Sequence, residues 1–559
     1  VAIAVFLALR PTATTPGTPP TTAAQPPPDL ASAKSVAVLP FENLSAAPDS
    51  AFFADGMHDE VLTALAKVAA LNVIGRTSVL PHRDPAKRNL RTISVELGVG
   101  SVVEGTVRRA GNRVRIGVKL IDAQTGRQLW GDSYEKELTD VFAIQAAVAQ
   151  EIATTLRATL TAGERALIER RPTENIRAYE LYLQAKLLAN DLNAAAPRRD
   201  FDRTARVLEE AVAADPGFAQ AHALLARTHA ASYLFGTVDP SPKRRELARE
   251  ALAAAQRIAP AAPETRFAEG RIAYACTRDF AEAMRHYQAA LAELPNDSAL
   301  FAEIGMTYRI MGRPADGATA MARAHAINPL DLNNAINILA TYLMLRRFDE
   351  AVRIGERYTG TSAQFAYIAL RTACARYEMD GDRAQFVRRI RTAPALGVDP
   401  YGLIPPYIAA LFAGDVTEAA RLLSDPRFVA IPSTGNAVVE SAALCRAMLA
   451  FLLDQRELAA THAAEAEAFF RSRAWTARQE PVVALELARA AAYAGRKAEA
   501  LRLADALRRQ VADKVDYDNV NILNELGRVY ALLGAREEAL VVLRSITTGP
   551  SSSDFGTPR

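Results

Sequence analysis

Residues 521–543 read NILNELGRVYALLGAREEALVVL, and the spacing of small and large side chains in this stretch decides the fold of most of the chain. Leu526-Gly527, Tyr530, Ala539 and Leu543 stand where two helices joined by a short turn interlock, bulky residues of one lying over small residues of the other. The spacing recurs at Ile304-Gly305, Tyr308, Gly317, Met321, Ala324 and Pro329, and again at Leu225-Ala226, His229, Ala248, Leu252, Ala255 and Pro260. Pro295 and Pro329 stand thirty-four residues apart. Such a period implies helix pairs, each burying its apolar face against its neighbours.

Thirty-four residues is the period of a tetratricopeptide (TPR) repeat. Working outward, the units are sharp between Phe201 and Pro329, continue through Ala335 to Tyr358, and become irregular between Gly360 and Ala474. They return at Leu487–Leu507 and Asn521–Leu543, with Ala-Gly-Arg-Lys and Gly-Ala-Arg-Glu-Glu at the turns. An all-α solenoid is therefore expected over residues 173–546, with no strand pattern in it. Residues 547–559 are Ser-, Gly- and Pro-rich and read as a disordered tail.

Upstream, residues 35–162 read as a small α/β domain, so the fold class is α+β: this domain followed by the solenoid. Ser35–Phe41 is a continuous apolar run suited to a strand buried on both faces. Asp55 is placed to cap a helix carrying Val61, Leu62, Leu65 and Val68, and Leu71–Ile74 reads as a second strand, with a short helix near Ile93–Leu97. Val114, Ile116, Val118 and Leu120 alternate with Arg113, Arg115, Gly117 and Lys119. Turn chemistry at 110–112 and 122–126 then predicts an antiparallel meander of strands 101–109, 113–121 and 127–134. Asp140 is expected to cap a closing helix whose stripe is Ile144, Val148, Ile152 and Leu156.

At 559 residues, half of them apolar, the chain is too long for a single core. Its formal net charge of +3 is spread over interleaved acids and bases, which disfavours nucleic acid as a partner. Cys276, Cys374 and Cys445 lie far apart without Cys-x-x-Cys spacing and read as buried thiols. Residues 1–9 are wholly apolar, stop at Arg10 and fall short of the roughly 20 residues of a membrane span. They read as the end of a truncated transmembrane helix, with part of a signal peptide as the alternative; both place the body outside the cytoplasm. Residues 10–34, with Pro19-Pro20 and Pro26-Pro27-Pro28, read as a stiff linker.

The segment SVAVLPFENLSAAPDSAFFADGMHDEVLTALAKVAALNVIGRTSV, followed by LGVGSVVEGTVRRAGNRVRIGVKLIDAQTGRQLWGDSYEKELTDVFAIQ, resembles the TolB amino-terminal-like domain that directly precedes TPR arrays. The resemblance covers roughly residues 35–160; the family's acidic pair after Ala54-Asp55-Gly56 is replaced by Met57-His58-Asp59-Glu60. It implies a one-span bacterial receptor whose cytoplasmic effector is a serine/threonine kinase, a class III adenylate or guanylate cyclase, or a winged helix. The chain would then be the periplasmic sensing or scaffolding half, and a secreted envelope scaffold is the third reading.

Candidate chemistry is sparse. Asp55, His58, Asp59 and Glu60 cluster in the first turns of a helix, where capping is favoured over metal binding. His222 and His229 occupy packing positions of the repeat template, and Trp130 and Tyr134 read as core aromatics. The glycines of Leu97–Gly100 lack the ending of a phosphate loop, and no nucleophile–base motif is present, so no catalytic residue, metal or cofactor is expected. Function is assigned to the concave face of the repeats, which should bind a protein or peptide. The template's inward positions fall on Gln220, Arg227, Met306, Arg309, Asn333, Ile336, Asn521, Asn524 and Arg528. Asn and Arg can grip a peptide backbone or carboxylate; homo-oligomerisation is left open.

Overall fold

The apolar run at Ser35 forms β1 (Ser35–Val38), with all four residues buried, and it lies inside a sheet because strands flank it on both sides. The computed structural model describes residues 34–45, 50–190, 198–234, 239, 241–358, 363–391, 404–425, 430–432, 439–473, 475, 479–511 and 517–547. The apolar stretch 1–9, the Pro-rich linker and the tail from residue 548 lie outside these. Among the described residues no helix is long and apolar enough to cross a membrane. The chain divides into two compact units, residues 25–307 with 319–334 and residues 308–318 with 335–559. The α/β domain and the first repeats share the first unit.

In that unit the sheet has the order β3-β1-β4-β5-β6. β1 runs parallel to β3 (Asn72–Val73) and β4 (Ser101–Ala110), and β2 (Glu42–Asn43) pairs parallel with β4 farther along. β4, β5 (Arg113–Asp122) and β6 (Gln128–Glu137) form the expected antiparallel meander. The alternation seen in the sequence is the reason: Val114, Ile116, Val118 and Leu120 are buried while Arg113, Arg115 and Lys119 face out. Gly105 in β4 is required by close approach, since a Cβ there would lie 2.5 Å from the Phe41 ring. Near β1 one sheet face packs Ala37, Leu39 and Val102 against Ile93 and Leu97 of α2 (Leu90–Leu97), whose end is turned by Gly98 at φ 68°.

The helix before it, α1, departs from expectation. It spans Ser50–Ala66, so Asp55 lies inside it rather than at its cap. The Asp55 carboxylate instead takes two bonds from Arg83, at 2.7 and 3.1 Å. His58, Asp59 and Glu60 are likewise mid-helix and cap nothing. Asp140 stands at the N-cap of α3 (Val141–Thr155), but its side chain makes no cap bond. Ile144, Val148, Ile152 and Leu156 are buried as their spacing implied. Trp130 and Tyr134, on the edge strand β6, are only partly buried.

The chain continues through α4 (Ala162–Glu169), opened by a Thr161/Glu164 capping box, into helix hairpins: α5 (Ile176–Ala189) with α6 (Arg198–Ala214), α7 (Ala219–Leu234) with α8 (Pro242–Ile258), and α9 (Pro263–Ile272) with α10 (Phe280–Leu291). Small-under-large packing is explicit at Gly270, where a Cβ would lie 2.5 Å from the Tyr287 ring. α11 (Ser298–Ile310), α12 (Pro314–Ile327) and α13 (Leu332–Met344) follow. His229 is buried and His222 half-buried, in keeping with packing roles.

The second unit holds α14 (Phe348–Gly355), α15 (Ala363–Asp380), α16 (Arg383–Arg391), α17 (Ile404–Ala413) and α18 (Val416–Leu423). A short antiparallel pair follows, β7 (Ala430–Pro432) with β8 (Val439–Ser441), inside the stretch expected to be free of strands. Strands of three residues are too short to show alternation, which is why the sequence concealed them. Three hairpins end the chain: α19 (Ala442–Leu452) with α20 (Arg456–Arg471), α21 (Glu480–Tyr493) with α22 (Lys497–Val511), and α23 (Tyr517–Leu532) with α24 (Arg536–Thr547). Leu526, Tyr530 and Ala539 share one buried cluster, as their spacing required, and the Tyr530 hydroxyl donates to Asp505 at 2.7 Å. Gly495 and Gly534 take the left-handed turn conformation, at φ 75° and 74°, while Asp454 holds it at φ 58° in the α19–α20 turn. All three cysteines are buried and none is joined in a disulfide.

Candidate binding surface of the repeats

The inward-facing positions of the template meet different fates. On α7, Gln220 is partly buried and its amide approaches Glu264 at 3.5 Å. Arg227, one face farther along, lays its guanidinium 3.5 Å from the centroid of Phe267. Burial depresses its basicity while Asp297 and Glu303 oppose that shift. Glu303 is itself bonded to Arg271 and accepts the Tyr287 hydroxyl at 3.3 Å. Met306 and Asn333 are partly buried.

In the second unit, Arg309 is buried and directs its guanidinium to Asn337 and to the Thr341 hydroxyl, at 3.3 Å each. Ile336 is partly buried and Asn524 buried. Arg528 bonds Glu525 at 2.7 Å, and the side chain of Asn521 lies outside the described residues.

Sequence reasoning missed the surface by which the first repeats hold the α/β domain. At one place α5 lies on α1. Tyr179 is buried, stacks edge-on with Phe142 at 4.6 Å and accepts the Gln145 amide at 2.7 Å. Leu183 sits so close to α1 that a Cβ on Gly56 would come within 2.6 Å of it. Lys186 bridges Asp59 and Glu60, each at 2.8 Å. The Asp59 carboxyl is held below its usual range; burial opposes this, and the Lys186 and Arg76 charges prevail. Next to it His58 bonds the Val38 carbonyl at 2.8 Å and Arg76 at 3.1 Å. Burial, aided by Arg76, pushes His58 down to about 4.

At the other place the contact is with the turns between helix pairs. Asn296, in the turn after α10, donates to the Val68 carbonyl at 2.9 Å. Arg323 on α12 donates to Asn72 at 3.1 Å. The turn Ile327–Asp331 then receives Gly75 and Ser78. The one available signal was the pair of Asn residues at repeat turns, Asn296 and Asn328, which local pattern reads as ordinary turn residues.

No family model matches the chain. "Putative adenylate cyclase 3" of Rhizobium meliloti (strain 1021) is 42% identical over 207 residues, which cover 37% of this chain and 34% of that protein. The chain thus matches about a third of the length of this curated relative. Among solved structures, a tetratricopeptide repeat protein from Parabacteroides merdae is 12% identical, covering 56% of this chain and 98% of its own, at TM-score 0.30. The lipoprotein GNA1162 of Neisseria meningitidis is 20% identical, covering 22% of this chain and 96% of its own, at TM-score 0.18. At such TM-scores neither likeness carries weight for the fold, which rests on the helix pairs and packing described above.

Proposed function

We propose that the chain is the non-catalytic, regulatory portion of a bacterial adenylate cyclase: a TolB-like domain seated on tetratricopeptide repeats that bind a protein or peptide. The observation that carries this reading is the 42% identity to a protein named as an adenylate cyclase, of which the matched stretch is only 34%. The side chains support a recognition role. The clustered acids Asp55, Asp59 and Glu60 are engaged by Arg83 and Lys186 rather than converging on a reaction centre. In this reading residues from about 11 onward lie outside the cytoplasm, and signal passes inward across the membrane.

Cyclic AMP formation tests the proposal. The chain alone should make none, and binding of its ligand should change the rate of the joined cyclase by about fivefold or more, the scale of ordinary allosteric coupling. Turnover by the chain alone, or a joined cyclase indifferent to deletion of residues 35–546, overturns it. A periplasm-dependent reporter such as alkaline phosphatase, fused after Thr547, should be active; an inactive fusion rejects the location.

A further inference from the structure

The turn Ile327–Asp331 holds a short helical turn of the α/β domain, Arg76–Val79 with Gly75 as its N-cap, in the way a binding site holds a peptide. The Gly75 N–H donates to the Ile327 carbonyl at 2.8 Å. The Ser78 N–H and hydroxyl both donate to the Asn328 side-chain oxygen, at 3.1 and 2.5 Å, and the same hydroxyl accepts the Leu330 N–H at 2.8 Å. Asn328 and Ser78 are 6% and 0% exposed, so these bonds are made away from water. Side-chain identity is also read. A Cβ on Gly75 would lie 2.8 Å from the Asn328 side-chain carbon, so glycine is required opposite Asn328.

The grip extends in order along the segment, with Val68 on Asn296, Asn72 on Arg323 and Gly75 to Ser78 on the last turn. These contacts are hydrogen bonds, and beside them Leu330 is partly buried against the cluster that contains Ile74 and Val79. Polar interdomain contacts of this kind open more readily than apolar ones, and α5 keeps the domain attached when they do.

We infer that the turn Ile327–Asp331 is a recognition site for a Gly-x-x-Ser segment folded as a single helical turn, that the chain's own Gly75–Ser78 occupies it at rest, and that a protein ligand carrying such a segment enters by displacing it. The inference rests on the proposed function only in taking the repeats as the ligand-binding part. A tethered occupant competes at an effective concentration on the order of millimolar, so displacement requires a ligand that is abundant or that makes further contacts.

A fluorescein-labelled peptide of sequence NVIGRTSV, residues 72–79, is titrated against the full chain and against its Gly75→Leu variant, whose own segment can no longer seat while Asn328 is intact. The variant should bind about tenfold or more tightly than the unmodified chain, relieved of its tethered competitor, and a peptide with Ser78→Ala should lose that binding. Equal binding to both chains, or none to a variant with native helical content, overturns the inference.

Hydrogen exchange on the unmodified chain decides the matter where the variant does not fold. The Gly75 and Ser78 amides should exchange about tenfold or more faster than the Ile74 amide, which donates to Val36 within the sheet. A single rate for all three overturns it. Regulation of the cyclase that persists after such a result leaves the proposed function standing and removes only the self-occupied turn.

Discussion

The α/β domain meets the repeats at α5 and at the turns after α10 and α12, and the two contacts are built from opposite materials. At α5, Tyr179 and Leu183 are buried against α1 and α3, and Lys186 closes an ion-pair network with Asp59 and Glu60. Each buried apolar side chain of this size contributes about 1.5–3 kcal/mol. At the turns, Asn296, Arg323 and Asn328 contribute hydrogen bonds, worth only about 1 kcal/mol each once water is counted. Under strain the second contact should therefore yield before the first, leaving α5 to hold the domain.

The largest effect should come from breaking the α5 end. Lys186→Ala removes the ammonium that bridges Asp59 and Glu60, and losing one partner of a buried network costs about 3–5 kcal/mol. The urea midpoint of the full chain measures it; a loss below about 1 kcal/mol would make the two contacts equivalent.

Acid should weaken the same region by a smaller amount. His58 titrates near 4 when folded against an ordinary 6.5, so between these values the unfolded chain binds more protons and stability falls with pH. Nothing is lost above pH 6.5, and the loss is complete below 4. Between pH 7 and 5 it amounts to about 2 kcal/mol. His229, also pushed to about 4 by burial and by Arg244, adds a similar term, which His229→Asn should remove from the pH profile of the urea midpoint.

Asn328→Ala probes the weaker contact. It deprives the Ser78 N–H and hydroxyl of their acceptor at about 1–2 kcal/mol, read as faster amide exchange at Gly75 and Ser78 while the β4–β5 ladder stays protected. Smallest of all are changes at turns remote from both contacts. Gly495→Ala should cost about 1 kcal/mol by placing a Cβ in the left-handed region, and Asp454→Gly should gain about 0.5 kcal/mol by removing one. Thermal melts that move in the same direction for both would contradict the turn geometry.

Much of this architecture was legible from side-chain periodicity. The meander emerged from the alternation around Val114–Leu120, and the hairpins from the placing of Tyr530 over small residues, because both patterns are local. The start of α1 was not legible. Ala54-Asp55-Gly56 looks like a helix entrance, yet Gly56 is mid-helix because Leu183, over a hundred residues away, leaves no room for a Cβ. The surface that holds the α/β domain was obscured for the same reason. The template marks Gln220 and Arg227 as inward-facing, but which residues hold the α/β domain depends on where that domain lies, and they are Arg323 on α12 with Asn296 and Asn328 on turns that local pattern treats as connectors.

The last strand of the meander carries a separate consequence. β6 closes one side of the sheet, and no further strand of the described residues pairs with its outer edge. A ten-residue open edge is a template for strand-by-strand growth into fibres. Asp132, Glu135, Lys136 and Glu137 stand exposed along it, so a neighbouring copy meets a fringe of hydrated charge, and crowding many such molecules together should not zip their sheets into one.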